Sequence, residues 1–101
     1  MREKQIEHHL VEGVKKLGGM CFKFVTSGTQ GVPERIIITA HGRIIFAELK
    51  TDKGVLSAIQ KYIIGQMLRR NADVRVLYGL EHVRELLREI ETDSNKGSEI
   101  R

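Results

Sequence analysis

The sequence is poor in cysteine, in proline and in long apolar runs. Its single cysteine, Cys21, has no partner for an internal disulfide. It sits among apolar residues rather than in a Cys/His cluster, which excludes both a disulfide scaffold and a zinc framework. No stretch approaches the roughly 18 to 20 uninterrupted apolar residues that a membrane span requires. The opening Met1-Arg2-Glu3-Lys4 leads into no signal-like apolar core. These absences lead to the expectation of a soluble protein without a membrane partner, cytoplasmic by default. A length of 101 residues accommodates one domain and not two.

Charge is present with a modest bias. Seventeen Lys and Arg against thirteen Asp and Glu give +4. Acidic residues crowd the stretch from Glu81 to Glu99, so the remainder of the chain is more basic than the total suggests. A polyanionic partner is compatible with this balance. A domain of this size buries only roughly 60 to 65% of its unfolded surface, so association into a homodimer would add stability.

Apolar periodicity places the elements. Over residues 3–17, Ile6, Leu10, Val11, Val14 and Leu17 share one face of a helix, which Gly18-Gly19 ends. Met20–Val25 has strand length. The segment Thr26-Ser27-Gly28-Thr29-Gln30-Gly31-Val32-Pro33 carries the strongest breaker signal and reads as a loop. Two strand-like runs follow, Arg35–Ala40 and Arg43–Lys50, and His41-Gly42 between them suits a two-residue hairpin turn with antiparallel pairing. Helical spacing returns from Leu56 to Arg70, with Leu56, Ile59, Ile63, Ile64 and Met67 on one face. A short strand over Asp73–Tyr78 precedes a third helix over Glu81–Glu91, with Val83, Leu86, Leu87 and Ile90 inward. The expected fold is α/β, a single mixed sheet flanked by helices in the order α-β-β-β-α-β-α. The domain is expected to span residues 1–92, with a disordered tail over 93–101.

Several polar residues fall where apolar ones belong. Glu7 lies inside the apolar arc of the first helix, so it needs either a Lys or Arg partner or a role at a site. Gln60 poses the same question on the second helix, as either a cap on a neighbouring backbone group or a site residue. In Ile44–Lys50, the period of two places Ile44, Phe46, Glu48 and Lys50 on one face and Ile45, Ala47 and Leu49 on the other. Antiparallel pairing about His41-Gly42 aligns Arg35 roughly with Glu48 and brings Glu34 to the same sheet end. Clustered carboxylates repel unless a hard cation lies between them. Mg²⁺ or Mn²⁺ takes oxygen ligands and keeps positions for water and phosphate. A lysine beside such an ion can orient or help deprotonate a water and offset growing phosphoryl charge. That is equipment for phosphodiester hydrolysis.

The ordered set Gly31-Val32-Pro33-Glu34-Arg35, Glu48-Leu49-Lys50 and Gln60, preceded by Glu7 on an N-terminal helix and Gly18-Gly19, resembles the VRR-Nuc domain of the PD-(D/E)XK nuclease superfamily. The resemblance spans about residues 1–90 and is to the family's small stand-alone members of phages and bacteria. It implies a restriction-endonuclease-like core. Glu34 and Glu48 would be the metal-binding acidic pair, the Leu49 carbonyl a further ligand and Lys50 the catalytic lysine. It further implies that Glu7 supports the metal directly or through water and that Gln60 positions Lys50 or the water. The implied activity is divalent-metal-dependent, structure-selective cleavage of branched DNA, such as four-way Holliday junctions, by a homodimer. One position departs from the pattern. The family usually has Asp after the proline, and the extra methylene of Glu34 displaces the carboxylate by roughly 1.3 to 1.5 Å. The alternative is therefore a catalytically impaired or non-cleaving module that binds branched or duplex DNA. A third possibility is an interaction domain whose acids merely pair with local bases.

Other candidates are weaker. Lys23, Ser27, Arg35, Lys53, Lys61 and Arg69, with Arg70 and Arg75, could line a DNA surface. His8-His9 lacks a third ligand at suitable spacing. The Ser27–Gly31 loop has neither Walker nor dinucleotide character.

Overall fold

The periodicities correspond to seven elements: α1 (Glu3–Lys16), β1 (Met20–Lys23), β2 (Arg35–Ile38), β3 (Ile44–Lys50), α2 (Ala58–Arg69), β4 (Val74–Tyr78) and α3 (Gly79–Ile100). The computed structural model describes residues 1–93 with their side chains and, beyond them, the helical backbone to Ile100. The tail expected over 93–101 thus falls on residues whose side chains, from 94 onward, lie outside the described ones, as does residue 101 entirely. The sheet runs β1-β2-β3-β4, antiparallel across the first three strands and parallel between β3 and β4. This is the α/β, mixed-sheet order that the pattern predicts.

One face of the sheet meets α1 and α3. Ile6, Leu10 and Val14 from α1 and Val83, Leu86 and Ile90 from α3 are buried against Ile37, Ile45, Ala47, Leu49 and Leu77. Leu17, Cys21 and Leu87 pack at the margin. Burial pushes the Cys21 thiol pKa up, in keeping with a small apolar filler. The first and third helices thus bury the faces their spacing assigns them. The second does not: of its apolar residues only Ile64 is buried, and Ile59 remains 44% exposed. It begins at Ala58, later than the spacing suggests, because Ser57 caps it from an extended conformation.

The hairpin differs from expectation by one residue. Arg35 pairs with Ala47, not Glu48. The connection is a three-residue loop, Ala40-His41-Gly42, closed by Thr39 N–H to the Arg43 carbonyl at 2.9 Å and Gly42 N–H to the Thr39 carbonyl at 2.9 Å. Gly42 adopts φ +87°, the left-handed position that such a loop requires and that glycine occupies at no steric cost. A shift of one residue reverses the face of every side chain in a strand relative to its partner. Arg35 therefore points with Ile37 and Ala47 to the helix-covered face, away from Glu48.

A second glycine positions the functional loop. Gly31 has φ +89°, and a Cβ there would lie 2.7 Å from the Ile59 carbonyl oxygen. Only a residue without a side chain lets the segment leading to Glu34 run directly against the start of α2.

Candidate active site

Beyond Arg35 the β2–β3 ladder stops being regular. Phe46 N–H donates to the Asp73 carbonyl at 2.8 Å, so the backbone of Phe46 and Glu48 faces β4, and that of Ala47 and Leu49 faces β2. Extending the register past Arg35↔Ala47 sets Pro33 opposite Leu49. Proline has no N–H to give the Leu49 carbonyl. The Leu49 N–H is taken by a side chain instead, donating to Glu34 Oε1 at 3.0 Å. The Pro33-Glu34 pair thus opens the end of the sheet, leaves a carbonyl without a ladder donor and folds a carboxylate over the gap.

Glu48 stands on the opposite face of β3 from Leu49 and is only 4% exposed. Lys50 Nζ lies 3.4 Å from its Oε2, and Gln60 Nε2 donates to the same oxygen at 3.0 Å. Gln60 also serves the helix that carries it. Its Oε1 accepts from Ser57 N–H at 2.9 Å, and its own N–H donates to Ser57 Oγ at 3.2 Å, forming a reciprocal capping box. The amide oxygen is committed to the cap, so the amide nitrogen is the end aimed at Glu48. Of the two readings of Gln60 left open by its spacing, the structure shows the cap, and the same side chain also reaches Glu48.

The electrostatics are unbalanced. Burial raises Glu34 to about 7; the Leu49 N–H bond opposes this, and the neighbouring carboxylates Glu48, Glu7 and Glu3 add to it. Burial also raises Glu48, more than the adjacent Lys50 ammonium lowers it. Glu3, on the first turn of α1, contributes to both shifts. It gives no periodicity signal because it lies at the helix start, where a carboxylate is ordinary.

Glu7 and Arg35 are found together, which gives Glu7 the Lys or Arg partner that is one of its two readings and takes Arg35 from the DNA candidates. Arg35 Nε donates to Glu7 Oε2 at 2.9 Å, with side-chain exposures of 16% and 21%. The charge on the apolar arc of α1 is thus answered by an arginine from β2, and Arg35 is turned from any DNA surface toward α1. Arg75 is likewise consumed, bonded to Asp73 and Glu89, and Arg70 contacts Gln66. Lys23, Ser27, Lys53, Lys61 and Arg69 remain exposed.

Among the described residues there is no group of three or more His, Cys, Asp or Glu side chains that could hold a metal, and His8-His9 gains no third ligand. The donor set at the sheet end is instead two carboxylates and the Leu49 carbonyl. All three are hard oxygens, and both carboxylates carry raised pKa values that a cation between them would relieve. The set fits Mg²⁺ or Mn²⁺, which bind through one or two carboxylates and leave remaining positions to water and phosphate.

Comparison with protein-family profiles finds no match. Among curated proteins, a stretch of 50 residues is 50% identical to "Putative nuclease p44" of Acyrthosiphon pisum secondary endosymbiont phage 1. It covers 50% of this chain and 54% of that protein, about half the length of each. Among solved structures, a chain described as "VRR_NUC domain" superposes with a TM-score of 0.81 at 25% identity, over 85% of this chain and 94% of that one. No helix among the described residues is long and apolar enough to cross a membrane. Motif, topology and superposition agree: the chain has the VRR-Nuc nuclease fold.

Proposed function

We propose that the protein is a divalent-metal-dependent endonuclease that hydrolyses phosphodiester bonds in branched DNA, four-way junctions foremost, as a homodimer. The observation that carries this reading is the joining of Glu34, Glu48, Lys50 and Gln60 at one opened sheet end, with both carboxylates raised in pKa. Structural ion pairs ordinarily lower carboxylate pKa values, and carboxylates held in the opposite condition suit a cation ligand set.

Glu34, Glu48 and the Leu49 carbonyl would hold Mg²⁺ or Mn²⁺, which supplies Lewis-acid charge at the phosphate and a more acidic water. Lys50, tethered to Glu48 at 3.4 Å, orients the attacking water and offsets charge growing on the phosphate oxygens. Gln60 fixes the Glu48 carboxylate and, through its capping box, ties that carboxylate to the position of α2. Glu7 acts through Arg35 to hold the Glu34 end of β2 against α1, and any support it gives the ion runs through water. Exposed Lys53, Lys61 and Arg69, with Lys23 and Ser27, are the candidates for contacting the sugar-phosphate backbone. A two-fold pair of such sites suits a junction with two symmetric scissile strands.

One observation favours a second reading, a module that binds DNA without cutting it. Glu34 stands where the resembled family usually has Asp, and its longer side chain reaches back to the Leu49 N–H, which draws one of its oxygens toward the backbone. The deciding experiment is cleavage of labelled four-way junction, flap and linear duplex DNA with Mg²⁺, Mn²⁺ or EDTA, beside a Glu34→Asp variant. Metal-dependent paired nicks in the junction are the expected result. Cutting by the variant alone would make this chain an impaired nuclease. No cutting by either, with saturable salt-dependent binding, would put the binding module first.

A further inference from the structure

Helices α1 and α3 cover one face of the sheet. The other face carries Glu48 and Lys50 at one end and a bare apolar field at the other. Strand register lays that field out in two rows. Met20, Ile38 and Ile44 stand side by side in the first, and Phe22, Ile36, Phe46 and Val74 in the second. Helix α2 lies on this face, since Gln60 reaches Glu48 from it, but it packs on β4. Val74, on β4, is accordingly 8% exposed, whereas Met20, Phe22 and Ile44 are 54%, 45% and 54% exposed. Ile36, Ile38 and Phe46 are half-buried, and Phe24 leans on Phe46 with ring centroids 5.6 Å apart. Among the described residues no helix packs over β1 or β2 on this side.

The size and chemistry of the field indicate what covers it. With roughly 200 Å² for a fully exposed large side chain, the six uncovered residues present on the order of 400 Å², the scale at which an apolar patch marks an interface. A stable interface takes about 800 Å² from each partner, as an apolar core within a polar rim, and the two rows supply such a core. Neither row holds a charged or polar side chain, so the field offers nothing to a phosphate backbone. What it matches is another uncharged apolar face, and the chain itself brings one. Two-fold pairing opposes a patch to its own copy, where any charge near the axis would meet its like; these rows carry none. Lys50 is six residues along β3 from Ile44, about 20 Å at the rise of a strand. A copy seated on the rows leaves the Lys50 end open.

We infer that the bare rows over β1, β2 and β3 are the surface on which a second copy of this chain docks, sheet face to sheet face, with Phe22 and Ile44 as its anchors. The inference rests on the homodimer part of the reading above and gives it a location. Docking joins two sites in one particle and takes Met20, Phe22 and Ile44 out of water, adding the burial that a chain of this size lacks.

The test is sedimentation of the full chain over about 1 to 100 µM. The wild type should be a dimer. Phe22→Glu and Ile44→Glu, at positions already half exposed, should each weaken it at least about 100-fold. Val55→Glu, at an apolar position 73% exposed beyond the opposite end of β3, should leave it intact. In parallel, peroxide oxidation of Met20 in the wild-type chain should slow about 10-fold from dilute to concentrated protein, with Met1, 64% exposed, as the unchanged reference. A wild type that stays monomeric at about 100 µM hands the face to a different protein and overturns the inference. So does a dimer indifferent to both glutamates, or a Met20 that oxidises at one rate at every concentration. The peroxide readout needs no variant, so it decides the matter even where a glutamate variant fails to fold. Cleavage is scored separately. A monomeric wild type that cuts DNA overturns the docking face and leaves the nuclease, whereas a dimer with Met20 protected that cuts no DNA overturns the nuclease and leaves the docking face.

Discussion

Two charged clusters sit at opposite ends of the parallel strand pair, built from similar residues and held in opposite electrostatic states. At the start of β3 and β4, Arg43 and Arg75 meet Asp73, Glu89 and Asp93 through a mesh of bonds. Arg43 reaches Glu89 at 2.7 Å and Asp73 at 2.9 Å, and it also contacts Asp93; Arg75 reaches Asp73 at 2.7 Å and Glu89 at 2.8 Å. The bond from Arg75 pulls Glu89 down to about 2. Burial raises Asp73, but Arg75 and Arg43 outweigh it and the net shift is downward. At the other end, one ammonium, Lys50, stands beside Glu48, and Glu34 and Glu48 are both shifted upward. Forked guanidiniums bond every carboxylate of the first end directly, and among the described residues no guanidinium does so for Glu34 or Glu48. The satisfied cluster closes the structure. The unsatisfied one lies at the carboxyl ends of the strands, where open α/β sheets bind their ligands.

Breaking the unsatisfied end should cost activity first. Lys50→Ala is expected to lower junction cleavage by roughly 100- to 10,000-fold with DNA affinity and melting temperature nearly unchanged. A variant that cuts at the wild-type rate removes Lys50 from the mechanism.

The two ends should also respond to pH with opposite signs. Glu34 is raised from its ordinary 4.5 to about 7, so the folded state holds the extra proton. Metal-free stability should therefore decline as pH rises from 4.5 through 7, by on the order of 2 kcal/mol. Glu89 is lowered to about 2, so its contribution is full above 4.5 and is lost as pH falls toward 2. Melting temperatures of wild type and Glu34→Gln in EDTA across this range should diverge between pH 4.5 and 7. Mg²⁺ should raise the wild-type melting temperature at pH 8 and not at pH 4.5. Parallel curves for the two proteins would mean that Glu34 is not strained as described.

Damaging the satisfied end should reverse the pattern of the lysine variant. Arg75→Ala leaves Asp73, Glu89 and Asp93 to Arg43 alone and should cost about 1 to 2 kcal/mol, after allowance for partial exposure. Cleavage below the melting transition should be unchanged. Loss of activity in a folded Arg75→Ala protein would tie the two ends together. The smallest effect belongs to the joint between helix and site. Ser57→Ala removes half of the capping box for about 1 kcal/mol, whereas Gln60→Ala should add roughly a 10-fold loss in cleavage by freeing Glu48. Equal cleavage by the two variants would reduce Gln60 to a cap.

Much of this contrast is legible in the sequence. The apolar spacing of α1 and α3, the alternation along β3 and the odd placement of Glu7, Gln60 and Glu48 each follow from helical or strand geometry. Local periodicity marks a polar residue as misplaced without knowing its partner. What misled was equally local. The spacing of α2 implied a buried face, yet only Ile64 is enclosed, because the helix packs mainly on β4 rather than across the sheet. The hairpin between β2 and β3 was right in kind and wrong by one residue, which moved Arg35 from the DNA candidates to Glu7.

The sequence by itself determined the order of elements, their faces and the residue types able to hold a hard cation, since these depend on neighbours a few positions apart. Only the tertiary structure decided which charges meet. The pairing of Arg35 with Glu7, the absorption of Arg75 by Asp73 and Glu89 and the Glu34 carboxylate over the Leu49 N–H all join residues distant in the chain. Strand register and helix docking set those distances, and a change of one residue in either reassigns every partner.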